Sequence, residues 1–258
     1  MKQYIVDAFA QQIFQGNPAA VCILDKWPDE TLMQRIAAEN NLSETAFIVK
    51  EIDSYAIRWF TPAYEIDLCG HATLAGAFVI HQFVEPKAEY IRFQPQSGEL
   101  AVACSGEQYT LDFPARPAEP IAPFAELADA LHVNVEEVYL ARDLMVVVPE
   151  EHILRELSPD FTKMAALTVG DGVIVTAKGG NCDFVSRCFY PKCGVPEDPV
   201  TGSAHCNLIP YWSEKLGKRE MVARQLSPRG GTLFCRDCGQ RVEIGGHAVL
   251  FSVSELQL

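Results

Sequence analysis

The segment Gly70-His-Ala-Thr-Leu-Ala-Gly-Ala-Phe-Val-Ile80 carries apolar side chains on every face of the helix that it would form. A helix of this kind has to be buried on all sides, because it has no polar face to turn toward water. A β-sheet that curls around the helix would bury it. The segment therefore predicts a helix that begins near His71 and is enclosed by a curled sheet.

The surroundings of this segment occur a second time, about half the chain later. Arg58-Trp-Phe-Thr-Pro62 precedes Cys69-Gly-His-Ala-Thr73, and Arg187-Cys-Phe-Tyr-Pro191 precedes Thr201-Gly-Ser-Ala-His205. The offset is 129 residues between the arginines (187 − 58) and 132 between the glycines (202 − 70). A repeat of this length predicts two structurally related halves.

Apolar periodicity gives both halves the same order of elements, namely two strands, a helix, two strands, a second helix and several strands. The first-half elements are predicted at residues 3–8, 19–24, 29–39 (helix), 46–49, 55–60, from 71 (helix), 90–93, 100–104 and 109–113. The second-half elements are predicted at residues 138–141, 145–148, 159–167 (helix), 173–176, 184–190, from 203 (helix), 224–226, 232–234, 241–244 and 248–251. Asp29 is the expected N-cap of the first helix, and Gly16-Asn-Pro18 is the expected turn between the first two strands.

A proline-rich stretch at residues 114–123 predicts the linker between the halves. We expect two similar α/β domains, the first at residues 1–114 and the second at residues 115–258. The last strand of the second domain could return to the first.

Composition excludes several classes of protein. The 258 residues include 34 acidic and 21 basic side chains, for a formal charge of −13, and lack the Lys and Arg clusters that nucleic-acid binding requires. The apolar runs are shorter than the roughly 20 residues of a membrane-spanning helix, and the first residues lack the apolar segment of a signal peptide. The nine cysteines, an odd number, fit a reducing compartment. We expect a cytoplasmic protein without nucleic-acid or membrane partners.

Cys235 and Cys238 form the one Cys-x-x-Cys pair of the sequence. No second pair completes a four-thiol zinc site, and a hairpin turn between two strands accounts for the spacing. Metal or redox chemistry at this pair is the alternative.

Both repeated segments open a helix with small residues. The first N–H groups of a helix have no internal partner and lie at the positive end of its dipole, so they bind anions. The candidate positions are Gly70 and Ala72 in the first half and Gly202 and Ala204 in the second. Two glycine turns that enter core helices would explain the pattern without a ligand. Because the opening occurs twice, we favour a carboxylate substrate held between the two.

Glu44 lies between a predicted helix and the apolar strand Ala46-Phe-Ile-Val49. Partial burial among apolar neighbours would suit a general acid/base. An exposed loop glutamate or a turn cap is the alternative. At the corresponding offset the second half has Gly170-Asp-Gly-Val173, without a glutamate. Because only one of the two related halves has a glutamate at this position, the sequence indicates a single catalytic acid/base.

Three further polar residues flank the helix openings. His71 is a candidate proton shuttle or anion ligand at the first opening, or simply a residue that starts a helix. Asp198 precedes the second opening, where it would accept a hydrogen bond from substrate or serve as a turn residue before Pro199. Ser203 follows Gly202 at the start of the second helix.

Taken in order along the chain, these motifs resemble those of the PhzF-like phenazine biosynthesis family, relatives of diaminopimelate epimerase and proline racemase. The resemblance covers nearly the whole chain. It rests on Asp7-Ala-Phe9, Gly16-Asn-Pro-Ala-Ala-Val21, Leu42-Ser-Glu-Thr-Ala-Phe47, Cys69-Gly-His-Ala-Thr73, Gln96-Ser-Gly98, Glu197-Asp-Pro-Val-Thr-Gly-Ser-Ala-His205 and Ser227-Pro-Arg-Gly-Gly231. It implies an α+β fold of two pseudo-symmetric domains, each a rolled, mostly antiparallel sheet around a central helix, with the site in a cleft between them.

The resemblance also implies roles for individual residues. It makes Glu44 the acid/base that moves a proton on a small carboxylate, with His71, Asp198 and Ser203 lining the substrate. It implies that the protein works as a homodimer and needs neither a metal nor an organic cofactor.

The resemblance also favours one of the possible reactions over the others. Racemases and epimerases of this fold use a thiol before each helix-opening glycine, and here those positions hold Cys69 and Thr201. One thiol disfavours two-thiol racemisation, so we predict an isomerase that moves a proton with Glu44. The alternatives are an epimerase or racemase of a small amino or hydroxy acid, with Glu44 and Cys69 on opposite faces, and a non-catalytic protein that binds small acids. Fold-level resemblance does not name the substrate.

Overall fold

A computed structural model of the chain describes residues 1–96 and 98–258. Ser97, in the segment Gln96-Ser-Gly98, lies outside the described residues. The described chain divides into two compact units, the first comprising Met1–Asp112 and Gly245–Leu258 and the second Phe113–Ile244. The C-terminal residues therefore belong to the same unit as the N-terminal ones.

The first unit combines a mostly antiparallel set of strands with two helices. Its elements are β1 (Lys2–Ala8), β2 (Asn17–Leu24), α1 (Glu30–Asn40), β3 (Glu44–Lys50), β4 (Tyr55–Phe60), β5 (Glu65–Ile66), α2 (Gly70–Phe83), β6 (Tyr90–Gln94), β7 (Leu100–Ser105) and β8 (Gln108–Pro114), the last of which ends just past the unit boundary. The pairs β2–β3 and β4–β6 are parallel.

The helix α2 is buried along its length, as the sequence predicts. Its buried side chains run from His71 to Ala77 and continue at Val79 and Ile80. The helix contacts β1, β2, β3, β6 and β7, so strands cover it from several sides. Gly76 allows close packing, because a Cβ there would lie 2.8 Å from Ile48 Cδ1. The prediction of a central helix enclosed by strands is confirmed for this unit.

The helix α1 begins and ends where its capping residues dictate. Asp29 Oδ1 accepts a hydrogen bond from the Thr31 N–H at 2.9 Å, which confirms the predicted N-cap. Its buried face consists of Met33, Ile36 and Ala37. Asn41, with a left-handed backbone (φ 49°), ends the helix and turns the chain toward β3.

The second unit repeats the first with additions. Its elements are β9 (Glu119–Ile121), α3 (Ala125–Leu131), β10 (Glu137–Leu140), β11 (Leu144–Val147), α4 (Glu151–Glu156), α5 (Phe161–Ala165), β12 (Val173–Lys178), β13 (Phe184–Tyr190), β14 (Val195–Asp198), α6 (Gly202–Leu216), β15 (Glu220–Gln225), β16 (Gly231–Asp237) and β17 (Arg241–Glu255). The strand β17 continues into the first unit, where it pairs antiparallel with β1.

Strand pairing confirms the internal repeat. The strands β2 and β3 are parallel neighbours, as are β11 and β12. The strand β4 pairs with β5 and β6 in the same way that β13 pairs with β14 and β15. Arg58 binds Glu65 through two nitrogens, and Arg187 binds Glu197 likewise. The predicted α+β fold class, two related halves of mostly antiparallel sheet, is confirmed.

The second half differs from the predicted elements in detail. The helix predicted at residues 159–167 is the shorter α5, and the sequence pattern misses α3 and α4, which have only 7 and 6 residues. The proline-rich stretch contains the short strand β9, in which Pro120 lies opposite Tyr139. Proline lacks a backbone N–H donor, but it can still adopt the extended backbone of a strand at the edge of a sheet. The predicted hairpin turn is present at residues 238–240, between β16 and β17, and contains Cys238, whereas Cys235 lies buried within β16.

No helix in residues 1–96 and 98–258 is both long and apolar enough to cross a membrane. All nine cysteines are free thiols.

Candidate active site

Glu44 and His71 lie side by side in the first unit. Glu44 is the first residue of β3, and His71 is the second residue of α2. Glu44 Oε2 lies 3.0 Å from His71 Nε2, with 15% of the Glu44 side chain and 7% of the His71 side chain exposed. One imidazole nitrogen therefore holds the carboxylate, which still reaches solvent.

The end of α1 fixes the start of β3 and with it the position of Glu44. The amide of Asn40, the last residue of α1, donates to Thr45 Oγ1 and to Gln3 Oε1, at 3.0 Å each. These bonds tie the helix end to both β3 and β1. Because β3 pairs in parallel with β2, Glu44 lies opposite Ala19.

The other imidazole nitrogen of His71 is engaged as well. Asn17 Nδ2 lies 3.2 Å from His71 Nδ1, and Cys69 Sγ lies 3.6 Å from it. Asn17 is fully buried at the start of β2. Its amide offers both a donor and an acceptor, so it suits Nδ1 with or without a proton. The sequence around Asn17 predicts a turn but not this contact.

The neighbours of Cys69 and His71 change the pKa values of these two side chains. Burial opposes the charged form of His71, but Cys69 and Glu44 outweigh this effect and hold the pKa of the imidazole well above its usual range. Burial, followed by the charge of Glu44, raises the pKa of the Cys69 thiol. The thiol therefore keeps its proton, and the imidazole is charged more readily than that of a free histidine.

The first turn of α2 presents backbone donors as the sequence predicts. Cys69 precedes the helix with an extended backbone (φ −142°), and no side chain caps it. The Ala72 N–H interacts with the Cys69 thiol. The N–H groups of Gly70 and His71 precede the first intrahelical bond, which the Thr73 N–H donates to the Cys69 carbonyl. Such groups lie at the positive end of the helix dipole.

The second unit builds a related opening at the start of α6. Thr201 takes the place of Cys69 with an extended backbone, again without a side-chain cap. The Thr201 hydroxyl donates to Asp198 Oδ2 at 2.5 Å, and its N–H donates to Gln225 Oε1 at 2.9 Å. His205 Nδ1 lies 2.8 Å from the Thr201 carbonyl, and burial lowers the pKa of His205 to about 4. This opening therefore contains a neutral histidine and an oriented carboxylate.

Ser203 has a cationic neighbour that its own stretch of sequence does not predict. Arg142 Nη2 lies 3.3 Å from Ser203 Oγ and 2.9 Å from Asp143 Oδ2. The buried Asp143 also accepts hydrogen bonds from the Gly172 N–H at 3.1 Å and the Tyr190 hydroxyl at 3.2 Å. Arg142 thus adds a positive charge beside the first turn of α6.

Strand register explains why the candidate acid occurs in one half only. In the paired strands Phe47 lies opposite Arg58, and Val175 lies opposite Arg187. Corresponding residues in these strands of the two halves therefore differ by 128 positions (175 − 47). Gly172 then corresponds to Glu44. A Cβ at Gly172 would lie 2.3 Å from the Tyr190 ring. The aromatic ring fills the space that a side chain at this position would need.

The structure places the predicted site residues in two groups. The group in the first unit, at the starts of β3 and α2, contains Glu44, Gly70, His71 and Ala72. The group in the second unit, at the end of β14 and the start of α6, contains Asp198, Gly202, Ser203 and Ala204. Neither helix-opening glycine has a positive φ. A left-handed backbone therefore does not explain these glycines.

The distance between Glu44 and Cys69 limits what the site can do. Their ligand atoms and that of His71 all lie within 4.8 Å of one another, and this is the one potential metal-binding group among the described residues. A carbon approached from opposite faces needs roughly 3–3.5 Å to each proton-carrying atom, or about 6–7 Å between those atoms. This spacing disfavours an epimerase that uses Glu44 and Cys69 on opposite faces.

Comparisons with known proteins agree with the sequence motifs. The family model described as phenazine biosynthesis-like protein matches residues 6–254. An uncharacterized isomerase of Pseudomonas aeruginosa is 49% identical over 253 residues, which cover 98% of this chain and 97% of the relative.

Solved structures give the same result. A PhzF family protein of Enterococcus faecalis is 54% identical, with a TM-score of 0.98 over 100% of this chain and 99% of that one. A probable proline racemase of Agrobacterium radiobacter reaches a TM-score of 0.63 at 11% identity, over 100% of this chain and 93% of that one. This second likeness concerns the fold alone.

Proposed function

The chain belongs to the phenazine biosynthesis-like family and is an isomerase, and from this premise we propose that it moves a proton on a small carboxylate substrate with Glu44 as the general acid/base. The observation that carries the proposal is the pair of Glu44 Oε2 and His71 Nε2 at 3.0 Å. It puts a partly exposed carboxylate beside a helix opening suited to anions.

Each group has a distinct role in this proposal. The Glu44 carboxylate takes a proton from one substrate carbon and returns it to another, while the double bond moves and no net oxidation occurs. His71, 3.0 Å from the carboxylate, holds it in place and faces its negative charge before the first transfer and after the second, whereas between the two transfers Glu44 carries the substrate proton and no charge. The backbone N–H groups at the start of α2 stabilise negative charge on the substrate.

The second unit supplies the remaining binding groups in the proposal. Asp198 would accept a hydrogen bond from the substrate, and Ser203 and the N–H groups of Gly202 and Ala204 would bind an anionic group. The charge of Arg142 beside Ser203 supports an anionic partner. That these groups and Glu44 share one cleft is part of the proposal and rests on the family resemblance.

Solvent-deuterium exchange tests the reaction class. Candidate small carboxylates are incubated with the enzyme in D2O and analysed by NMR. An isomerase incorporates deuterium at the carbon that receives the proton and shifts the double bond, whereas an epimerase incorporates it with inversion and without that shift. A protein that only binds small acids incorporates none. Binding with neither deuterium incorporation nor a shifted double bond, for every carboxylate that binds, would refute the proposed activity.

We also propose a cytoplasmic homodimer. The nine free thiols support a reducing compartment, and the family resemblance supports the dimer. Sedimentation equilibrium at micromolar concentration would show a monomer mass of 28.5 kDa if the dimer is wrong.

A further inference from the structure

The side chains of Cys69, His71 and Glu44 together offer a thiol sulfur, an imidazole nitrogen and a carboxylate oxygen. Their ligand atoms lie within 4.8 Å of one another. Thiolate and imidazole are the ligands that Zn2+ and Cd2+ prefer, and a carboxylate commonly completes such a set. We propose that this triad binds one thiophilic divalent cation of the Zn2+ class, with the fourth position left to water.

The spacing of the donor atoms needs little adjustment. Bonds of about 2.0–2.3 Å to a tetrahedral zinc ion set neighbouring ligand atoms roughly 3.3–3.6 Å apart. The His71 Nε2 to Glu44 Oε2 distance is 3.0 Å, and the Cys69 Sγ to His71 Nδ1 distance is 3.6 Å. The thiol and the carboxylate lie beside different ring nitrogens, so one ion would bind a single nitrogen of His71. One ligand atom from each residue lies within 4.8 Å of the others, and side-chain rotation would have to close the remaining gap.

The burial of the three side chains favours a specific metal site over weak binding at the surface. Cys69 and His71 are buried, and Glu44 leaves 15% of its side chain open to solvent as a route of entry. Within residues 1–96 and 98–258, neither Glu44 Oε2 nor His71 Nε2 has a hydrogen-bond partner of good geometry, although the two atoms are 3.0 Å apart. A cation between them would satisfy both.

The binding step is a proton-for-metal exchange. The Cys69 S–H bond and one N–H bond of the charged His71 imidazole break, both protons pass to solvent, and sulfur–metal and nitrogen–metal bonds form with no change in oxidation state. Binding itself does not depend on the proposed reaction. The effect of binding on activity does depend on the proposed reaction, because a cation on Glu44 would block proton transfer and make Zn2+ a reversible inhibitor.

Cadmium titration tests the site directly. Protein freed of metal with EDTA is titrated with CdCl2, while the ultraviolet thiolate-to-cadmium absorption and the bound metal per chain are measured. The variants are Cys69→Ser and Glu44→Gln, with Cys193→Ser as the matched control at an exposed thiol. Circular dichroism confirms that each variant is folded.

We expect the wild type and Cys193→Ser to bind one equivalent that Zn2+ displaces. Cys69→Ser should lose the thiolate absorption and bind at least about 100-fold more weakly, since loss of a ligand exceeds the 10–100-fold effect of outer contacts. Glu44→Gln should weaken binding by at least about 10-fold. Equal affinity in the wild type and Cys69→Ser, or in the wild type and Glu44→Gln, would overturn the three-ligand site. A protein without Glu44-dependent deuterium exchange would still bind cadmium, so the two proposals fail separately.

Discussion

His71 Nε2 lies 3.0 Å from Glu44 Oε2, and the pair joins the start of the central helix to the start of a neighbouring strand. The nearby carboxylate favours the charged form of the imidazole and contributes to the raised pKa of His71.

Replacing Glu44 by Gln should lower the pKa of His71, because burial then acts on the imidazole without the opposing carboxylate. NMR titration of the His71 ring protons in both proteins measures this directly. An unchanged His71 pKa in Glu44→Gln would show that the pair is not coupled.

The same coupling makes stability depend on pH. The pKa of folded His71 is raised, so its contribution is complete below the unfolded value of about 6.5 and is lost as pH rises through the folded value. As pH rises above about 6.5, the wild type should lose stability relative to Glu44→Gln, by about 1.5–3 kcal/mol, the range for hydrogen bonds to charged groups. Urea unfolding at several pH values checks the sign. A difference that grows with pH would contradict the prediction.

The proposed acid/base role predicts a large kinetic effect. Glu44→Gln should lower turnover by roughly 100-fold or more while substrate binding persists, as general acid/base catalysis contributes about 10²–10⁴-fold. Steady-state kinetics on the identified substrate measures it, with Glu39→Gln on the exposed face of α1 as the control. Near wild-type turnover in Glu44→Gln would remove Glu44 from this role.

Cys69 should matter much less for catalysis. The Cys69→Ser variant keeps a hydroxyl beside His71 Nδ1, and we expect it to retain most of the activity. Kinetics beside the Glu44 variant provide the comparison. A loss as large as that in Glu44→Gln would favour the epimerase alternative, despite the short distance between the two groups.

The glycine that opens α6 should be more sensitive than the serine that follows it. A valine at Gly202 crowds an anion near the backbone N–H groups, whereas Ser203→Ala removes one hydroxyl and leaves those groups in place. Isothermal titration with a substrate or competitive inhibitor should show weaker binding for Gly202→Val than for Ser203→Ala. The reverse order would assign recognition to the hydroxyl and its neighbour Arg142.

Gly172 provides a test of the asymmetry between the halves. The Cβ of Gly172→Ala would meet the Tyr190 ring at 2.3 Å, so we expect a loss of about 1–3 kcal/mol from overpacking. Gly180→Ala is the control, because its Cβ would have only an ordinary contact, 3.5 Å from Glu151 Oε2. Chemical denaturation compares the two variants, and equal stability would show that Tyr190 moves aside freely.

The sequence predicts the fold well because its strongest signals are local. An apolar helix without a polar face and a repeated motif both stand in contiguous residues, and the structure confirms both. Short elements such as α3 and α4 escape detection, since fewer than two helical turns cannot establish a period.

The site is only partly predictable for a physical reason. The helix openings and Glu44 could be singled out from their own neighbours in sequence. The contact of Asn17 with His71 spans 54 residues and that of Arg142 with Ser203 spans 61, so both depend on strand register and packing. Neither contact leaves a local pattern.

The pairing of β1 with β17 has a consequence for synthesis of the chain. Ala8 lies opposite Ala248, so 240 residues (248 − 8) separate the partners. At roughly 5–20 residues per second, the ribosome needs about 12–48 s to make the second strand after the first. During that interval one edge of β1 lacks its partner, and by the end of it the whole of the second unit has been made. The half that contains Glu44 is translated first and completed last.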